Sequence, residues 1–181
     1  MLRLASSSQT RREILTNANI DFIQECISYD EDQIIASSPK NFVYQATMGK
    51  YLANKEHFGI EDYPLLVADT VVTAQDKILR KAKSKDDARE ILLTQSGNIT
   101  TIITSMIYHS TTKMIVDIST TEYHFNTFLA QDIERYLDSN EWQGKAGACM
   151  VEGFCKPYIS SVKGRESTAM GLHIELLKRF I

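Results

Sequence analysis

The stretch Leu65-Leu66-Val67-Ala68-Asp69-Thr70-Val71-Val72 decides the fold class. It is apolar at every position except Asp69 and Thr70, so a strand formed here would be apolar on both faces, which is typical of a central strand. Along the rest of the chain, short apolar runs alternate with segments of helical period, and that alternation indicates an α/β protein. We therefore predict an α/β fold with a central β-sheet flanked by helices and this strand inside it.

Start signals and apolar runs predict the other elements. Pro39 suits the first position of a helix capped by Ser38, and Ser84 caps another helix with Asp87 as a capping-box-like partner. The strands are expected at 2–5, 22–27, 99–108 and 113–125, the last two as a hairpin, and the helices at 10–18, 39–57, 84–94, 131–138 and 167–179. No linker, repeat or low-complexity tract interrupts the chain, so we expect one domain over 1–181.

The composition is that of an ordinary soluble domain. Of 181 residues, 43% are hydrophobic and 24% are charged, with a formal net charge of −3. That balance excludes binding to a nucleic acid polymer or an anionic membrane by bulk charge, but allows a local cation cluster to bind a small anion. No apolar run reaches the about 18 residues of a membrane span, and the first residues do not resemble a signal peptide.

The cysteines point to a reducing compartment. The sequence has three cysteines, Cys26, Cys149 and Cys155. The odd number and the lack of a Cys-x-x-Cys spacing argue against a disulfide framework or a zinc site. We expect three reduced thiols and a cytoplasmic protein.

The first candidate for chemistry is Leu4-Ala5-Ser6-Ser7-Ser8-Gln9-Thr10-Arg11-Arg12, where a strand ends, three hydroxyls follow and a helix begins. Free N–H groups at a helix start favour an anion, and arginine is unfavourable for the helix dipole there unless it serves such a ligand. The alternative is a serine cap followed by surface arginines. The pattern alone leaves both open.

Two charged residues stand in apolar surroundings. On a helical wheel Lys50 falls among Phe42, Val43 and Ala46, so it must either extend to solvent or meet an anion. Asp69 lies inside the central strand, and because an unpaired buried charge is costly, it should face a cleft, a cation or a metal. The alternative is a strand-end carboxylate satisfied by backbone N–H groups.

A glycine-rich segment runs from Glu141 to Ala148 and is followed by Val151-Glu152-Gly153. Trp142, Lys145 and Glu152 could stack on, attract and hydrogen-bond a planar base. A structural turn with Trp142 in the core explains the same residues. Lys81 and Lys83 could reach the cleft that Asp69 faces, or form a solvated basic turn.

Taken together, these segments resemble the Maf family of nucleoside triphosphate pyrophosphatases. The residues that carry the resemblance are Leu4-Ala5-Ser6-Ser7-Ser8-Gln9-Thr10-Arg11, Ala68-Asp69-Thr70-Val71-Val72, Ser96-Gly97, Lys145-Ala146-Gly147-Ala148 and Gly171-Leu172-His173. Their order and spacing extend over nearly the whole chain.

The resemblance implies an elongated α/β fold of two lobes, with a central mixed β-sheet flanked by helices and a cleft between the lobes. Such proteins are related to inosine triphosphate pyrophosphatases and are often dimeric. It implies hydrolysis of a nucleoside triphosphate, or a modified one, to the monophosphate and pyrophosphate with Mg²⁺ or Mn²⁺. Asp69 would act on the attacking water and hold the metal with Glu31, for which Asp30 is the next choice. The substrate-binding residues would be Ser6, Ser8, Arg11, Lys50, Lys81, Lys145 and Glu152.

The chain departs from the family pattern in its first motif and in its base-reading loop. Gln9 and Thr10 replace the usual Pro and Arg, which leaves open whether Arg12 supplies the missing charge, and Ala82 replaces the Pro after Lys81. Lys145 with Glu152 mixes the pattern similar to pyrimidine triphosphate enzymes with the one similar to 7-methyl-GTP enzymes. The base stays open. The family has also been linked to septum formation, so the alternative function is a nucleotide-binding regulator of cell division with little catalysis.

Overall fold

The computed structural model describes residues 1–149 and 151–181. Within them the strands are β1 (Leu2–Leu4), β2 (Phe22–Gln24), β3 (Leu65–Ala74), β4 (Lys77–Leu79), β5 (Ile99–His109), β6 (Met114–Phe125) and β7 (Ile159–Lys163). The helices are α1 (Gln9–Asn17), α2 (Pro39–Phe58), α3 (Lys85–Gln95), α4 (Ala130–Ser139), α5 (Glu166–Ala169) and α6 (Ile174–Leu177), with a short 3₁₀ helix at Lys156–Tyr158.

The strands form one mixed sheet in the order β2-β1-β3-β5-β6-β7, and β4 pairs with β3. β1 is parallel to both β2 and β3, whereas β4 is antiparallel to β3 and β7 is antiparallel to β6. The predicted α/β class with a central mixed sheet flanked by helices is confirmed. β5 and β6 are joined by four residues and neighbour each other, as the predicted hairpin requires.

Strand β3 is apolar on both faces because helices cover both. Leu66 and Ala68 pack with Leu15 of α1 and Leu177 of α6 in one buried cluster. Leu65 and Val67 point the other way and pack with Tyr51 of α2 in a second cluster. The alternation of the two clusters along one strand is the pattern that a doubly covered strand produces.

The helix starts predicted at Ser38 and Ser84 are confirmed, and Ser8 caps α1 in the same way. The side chains of Ser8, Ser38 and Ser84 accept hydrogen bonds from the backbone N–H groups of Arg11, Asn41 and Asp87, respectively. Each serine satisfies an N–H group that has no partner within its helix, which is why a hydroxyl at this position marks a helix start.

The predicted single helix over 167–179 is wrong. The structure has the two short helices α5 and α6 there, and Gly171 between them has φ +102°. That backbone conformation is incompatible with a continuous right-handed helix. The strands β4 and β7 were not predicted. Each of them pairs with an end of a longer strand, β4 with β3 and β7 with β6.

The expectation of reduced thiols is wrong for two cysteines. Cys149 and Cys155 form a disulfide with their Cα atoms 6.4 Å apart, whereas Cys26 is free and exposed. The chain turns through 151–155, and this turn brings the two cysteines within bonding reach. An odd count and the lack of a Cys-x-x-Cys spacing do not reveal such a turn.

The chain divides into two compact units. The first unit comprises 1–70, 103–120 and 165–181, and the second comprises 71–102 and 121–164. The strands β3, β5 and β6 each contribute residues to both units. The single domain over 1–181 stays a prediction. Among the described residues, no helix is long and apolar enough to cross a membrane.

Candidate active site

The first unit places a lysine against two carboxylates. Nζ of Lys50 lies 2.5 Å from Oδ1 of Asp69 and 2.6 Å from Oε1 of Glu31. Lys50 is on α2, Asp69 is on β3, and Glu31 is in the segment that leads from β2 to α2. Of the alternatives that the sequence left open, Lys50 therefore meets anions and Asp69 faces a cation.

Lys50 points inward because α2 packs on the sheet through the same side. Phe42, Val43 and Ala46 of that helix are buried, and Lys50 continues their face one turn later. Its side chain is 22% exposed, against 11% for Asp69 and 38% for Glu31. The three charged groups thus form a half-buried cluster in which each charge has a partner.

The carboxylates keep Lys50 protonated. Burial lowers the pKa of Lys50, but attraction and hydrogen bonding to Asp69 and Glu31 outweigh this effect and raise the pKa above its usual value. Lys50 therefore acts as a fixed positive charge and does not accept a proton at neutral pH.

Glu31 takes the position for which Asp30 was the next choice. The side chain of Asp30 accepts hydrogen bonds from the backbone N–H of Asp32 and from the side-chain amide of Gln33, so it stabilises its own turn. Glu31 extends to Lys50 instead.

Arg11 is held by three protein groups and is not a surface arginine. Its Nε donates to the carbonyl oxygen of Gly171 at 2.8 Å, Nη1 donates to Oγ of Ser6 at 3.0 Å, and Nη2 donates to Oγ1 of Thr70 at 3.0 Å. Burial lowers the pKa of Arg11, and attraction to Asp69 and Glu31 opposes this shift. Arg12, by contrast, is exposed.

The hydroxyl contact of Arg11 continues into a buried hydrogen-bond chain. Thr70 and Thr104 lie 2.9 Å apart through their Oγ1 atoms, and Thr104 donates to the carbonyl oxygen of Thr168 at 2.7 Å. Arg11 can only donate, so the Thr70 hydroxyl accepts from Arg11 and donates to the Thr104 hydroxyl, which in turn donates to Thr168. Thr104 and Thr168 were not among the predicted site residues, because isolated threonines in a strand or a short helix carry no local signal of such a contact.

Gly171 is required by its backbone and by its neighbours. At its φ of +102° a side chain is strained, and a Cβ atom would lie 3.2 Å from Oγ1 of Thr70 and 3.4 Å from Arg11. Its carbonyl oxygen is also an acceptor for Arg11. Gly171, in the last of the family motifs, therefore holds Arg11, in the first of them.

The second unit holds Lys81, Lys145 and Glu152, all of them exposed. Lys81 and Ala146 form an antiparallel bridge, so the backbones that carry Lys81 and Lys145 lie side by side. Lys81 and Lys83 line a shallow cavity of about 560 Å³. Glu152 lies in the loop closed by the disulfide.

Gly147 fixes the glycine-rich loop on its own unit. Its N–H donates to the carbonyl oxygen of Arg80 at 3.2 Å, and its carbonyl oxygen accepts from the side chain of Gln95 at 2.7 Å. A Cβ atom on Gly147 would lie 2.9 Å from Cγ1 of Val72. The absence of a side chain therefore permits the close approach to β3.

Trp142 belongs to the core. It is 5% exposed, and its Nε1 donates to the carbonyl oxygen of Leu137. Of the two interpretations of this residue, the structural turn is the one that holds, and the indole face does not serve a base.

The carboxylates are the candidates for a metal site. Among residues 1–149 and 151–181, no group of three or more His, Cys, Asp or Glu side chains could hold a metal ion by itself. Glu31 and Asp69, which share Lys50, offer two oxygen ligands. Mg²⁺ commonly binds one or two carboxylates and completes its shell with substrate phosphates and water, so this pair suits a metal that arrives with its nucleotide.

Known proteins resemble this chain over its full length. The sequence model of the family described as "Maf-like protein" matches residues 1–181. A protein of a Nitratiruptor species named nucleoside triphosphate pyrophosphatase is 50% identical over 179 residues, which cover 98% of this chain and 96% of the relative. Proteins of the same name are 36% identical in Helicobacter pylori (96% of this chain, 91% of the relative) and 35% identical in Campylobacter jejuni (100% of both).

Proposed function

The chain belongs to the Maf family, and we propose that Asp69, Lys50 and Glu31 carry its catalysis. It is a nucleoside triphosphate pyrophosphatase, a hydrolase that cleaves an acid anhydride and yields a monophosphate and pyrophosphate. The observation that supports this assignment is that Oδ1 of Asp69 and Oε1 of Glu31 lie 2.5 and 2.6 Å from the same nitrogen, Nζ of Lys50.

Asp69 is the group that we propose for the attacking water. Its carboxylate is held in place by β3 and by Lys50, so it can orient a water molecule and accept its proton during in-line attack on the α-phosphorus. Pyrophosphate leaves from the other side of the phosphorus. A neutral amide at position 69 could still form hydrogen bonds but could not accept the proton.

The cations neutralise the triphosphate. Lys50 and Arg11 would face the negative charge that develops on the phosphate oxygens, and fixed charges in a partly dry site stabilise it better than water does. Ser6 and Ser8 are proposed as phosphate-binding groups through the turn that leads into α1. Lys81 is the further cation that the family resemblance assigns to the substrate.

We propose Glu31 and Asp69 as the residues that hold a Mg²⁺ or Mn²⁺ ion. When bound, such an ion polarises phosphoryl oxygens and lowers the pKa of a coordinated water. The fit rests on the oxygen donors and on their number, which leaves room for phosphate ligands.

Lys145 and Glu152 are the proposed base-reading residues. Their combination leaves both pyrimidine triphosphates and 7-methyl-GTP as candidate substrates. We also propose a cytoplasmic location, which matches a nucleotide substrate, and a homodimer, which rests on the family resemblance alone.

The test is pyrophosphate release from dTTP, UTP, ITP and 7-methyl-GTP, each with Mg²⁺ and with Mn²⁺. We expect metal-dependent release, and a loss of roughly 100-fold or more in Asp69→Asn, because proton transfer by a positioned group contributes that much. The matched control is Asp62→Asn, which removes an exposed carboxylate of the first unit.

Two outcomes would count against this proposal. Near-normal release by Asp69→Asn would remove Asp69 from the mechanism. Thermal stabilisation by a non-hydrolysable triphosphate, without release from any nucleotide, would instead favour the nucleotide-binding regulator of cell division.

A further inference from the structure

Lys50 lies between the two carboxylates that we propose as metal ligands. Its Nζ contacts both Oδ1 of Asp69 and Oε1 of Glu31, so one cation already bridges the two carboxylates. A divalent ion placed between these same two oxygens would have to displace the ammonium group. The residue that supports catalysis in the presence of nucleotide therefore competes with the metal in its absence.

The charges around this position are balanced. Arg11 is close enough to both carboxylates for each to attract it, and Arg11 and Lys50 together carry two positive charges against two negative ones. Arg11 is tied to Ser6, Thr70 and Gly171, whereas the Lys50 ammonium is held by the carboxylates themselves. Lys50 is thus the cation that can change partners without breaking the surrounding fold.

We propose that Lys50 is an internal counter-cation that keeps the divalent metal out of the nucleotide-free site and transfers to a phosphate when the metal–nucleotide complex enters. This inference rests on the proposed function. It assigns to Lys50 a role that an ordinary phosphate-binding lysine does not have, which is to oppose metal binding.

Metal binding without nucleotide is unfavourable because it displaces the Lys50 ammonium group. Without nucleotide, a metal ion on Asp69 and Glu31 would leave the half-buried Lys50 without an anion and next to a divalent charge, and both effects are unfavourable. A triphosphate supplies oxygens for the freed ammonium, and the flexible stem of lysine allows the short movement. Metal and nucleotide therefore favour each other's binding, and the coupling is reciprocal.

The experiment measures the binding of Mn²⁺ alone to the nucleotide-free protein by calorimetry or electron paramagnetic resonance. We expect weak binding to the natural protein and binding at least about tenfold tighter to Lys50→Met, because the variant removes a contacting positive charge. Lys40→Met, an exposed position on the same helix, is the control and should bind Mn²⁺ like the natural protein. Lys50→Arg keeps the charge and should also bind Mn²⁺ weakly.

The inference is overturned if Lys50→Met binds Mn²⁺ no more tightly than the natural protein, or if Lys50→Arg binds it as tightly as Lys50→Met. Circular dichroism checks that each variant is folded. If Lys50→Met does not fold, Lys50→Gln takes its place, since it retains a hydrogen-bond donor without the charge. Pyrophosphate release by the natural protein is measured separately, so a failed pyrophosphatase assay and a failed metal competition are distinguished.

Discussion

Lys50 shows how two opposing effects on one residue are decided. Transfer of an ammonium group from water to a half-buried position favours the neutral form. Two carboxylate contacts at 2.5 and 2.6 Å reverse that preference and raise the pKa of Lys50. The same contacts give Asp69 a cationic partner within a largely apolar strand, so neither group is left unpaired.

Arg11 depends on residues that are far away in the chain. Its contact to Gly171 spans 160 positions, and its contact to Thr70 spans 59. A guanidinium group offers five N–H donors in a fixed plane, so the acceptors must be placed to match it. Three of these directions are used by protein atoms, and the exposed Arg12 does not share them.

We expect His109 to make stability depend on pH. It lies at the end of β5, where Nδ1 is 2.7 Å from the Tyr51 hydroxyl. Burial and, to a smaller extent, Lys55 lower the pKa of His109, while Glu61 opposes the shift. A lowered pKa means that the unfolded chain binds the proton more tightly, so the stabilising effect is present above about pH 6.5 and is lost as the pH falls through the lowered value.

The prediction is that the natural protein loses thermal stability between about pH 7.5 and about pH 5.5 more steeply than His109→Gln. Thermal unfolding followed across this range provides the measurement. His57→Gln, which replaces an exposed histidine near the end of α2, should follow the natural protein. Parallel curves for all three proteins would show that His109 contributes nothing to the pH dependence.

At the scale of the elements, the glycine-rich loop is held on β3 by a close approach. A Cβ atom on Gly147 would lie 2.9 Å from Cγ1 and 3.3 Å from Cβ of Val72, a buried residue of a long strand. Valine has one stiff side-chain torsion, and rotation about it leaves its Cβ in place, so that contact remains. Gly144 in the same loop has a similar φ of +73° but nothing within 4 Å of a Cβ position.

These two glycines allow a matched comparison. Gly144→Ala should cost about 1–2 kcal/mol through its left-handed backbone alone. Gly147→Ala should cost about 1–3 kcal/mol more, because the added methyl overpacks against Val72. Urea denaturation measures both losses, and equal losses would show that the loop moves away from β3 without penalty.

At the scale of the whole molecule, the two units are joined through three continuous strands. β3, β5 and β6 each contribute residues to both units, so unfolding of one unit would fray the strands of the other. We therefore expect residues 1–181 to unfold in one cooperative transition, as small single domains do.

The single unfolding transition can be tested with two spectroscopic signals. Trp142, the single tryptophan of the sequence, lies buried in the second unit, whereas far-ultraviolet circular dichroism reports on both units. The fluorescence and dichroism transitions should coincide, and the calorimetric and van't Hoff enthalpies should agree. Separate midpoints for the two signals would contradict the single domain.

Much of the fold could be predicted because its signals are local. The apolar run at 65–72 required cover on both faces, Ser38 and Ser84 marked helix starts, and both expectations are confirmed. The family resemblance also predicted candidate site residues. Among these, Glu31 and Asp69 both contact Lys50. The roles of these residues stay predictions.

The amino-acid sequence by itself determined the α/β class, the central strand, the main helix starts and the inward face of Lys50, because periodicity and capping depend on neighbours within a few positions. Only the tertiary structure decided that Lys50 bridges two carboxylates, that Arg11 is held by Gly171 and Thr70, that Trp142 is core and that 167–179 breaks into two helices. These outcomes depend on contacts between distant residues. Such contacts form only when the packed sheet brings their elements together, so no local pattern encodes them.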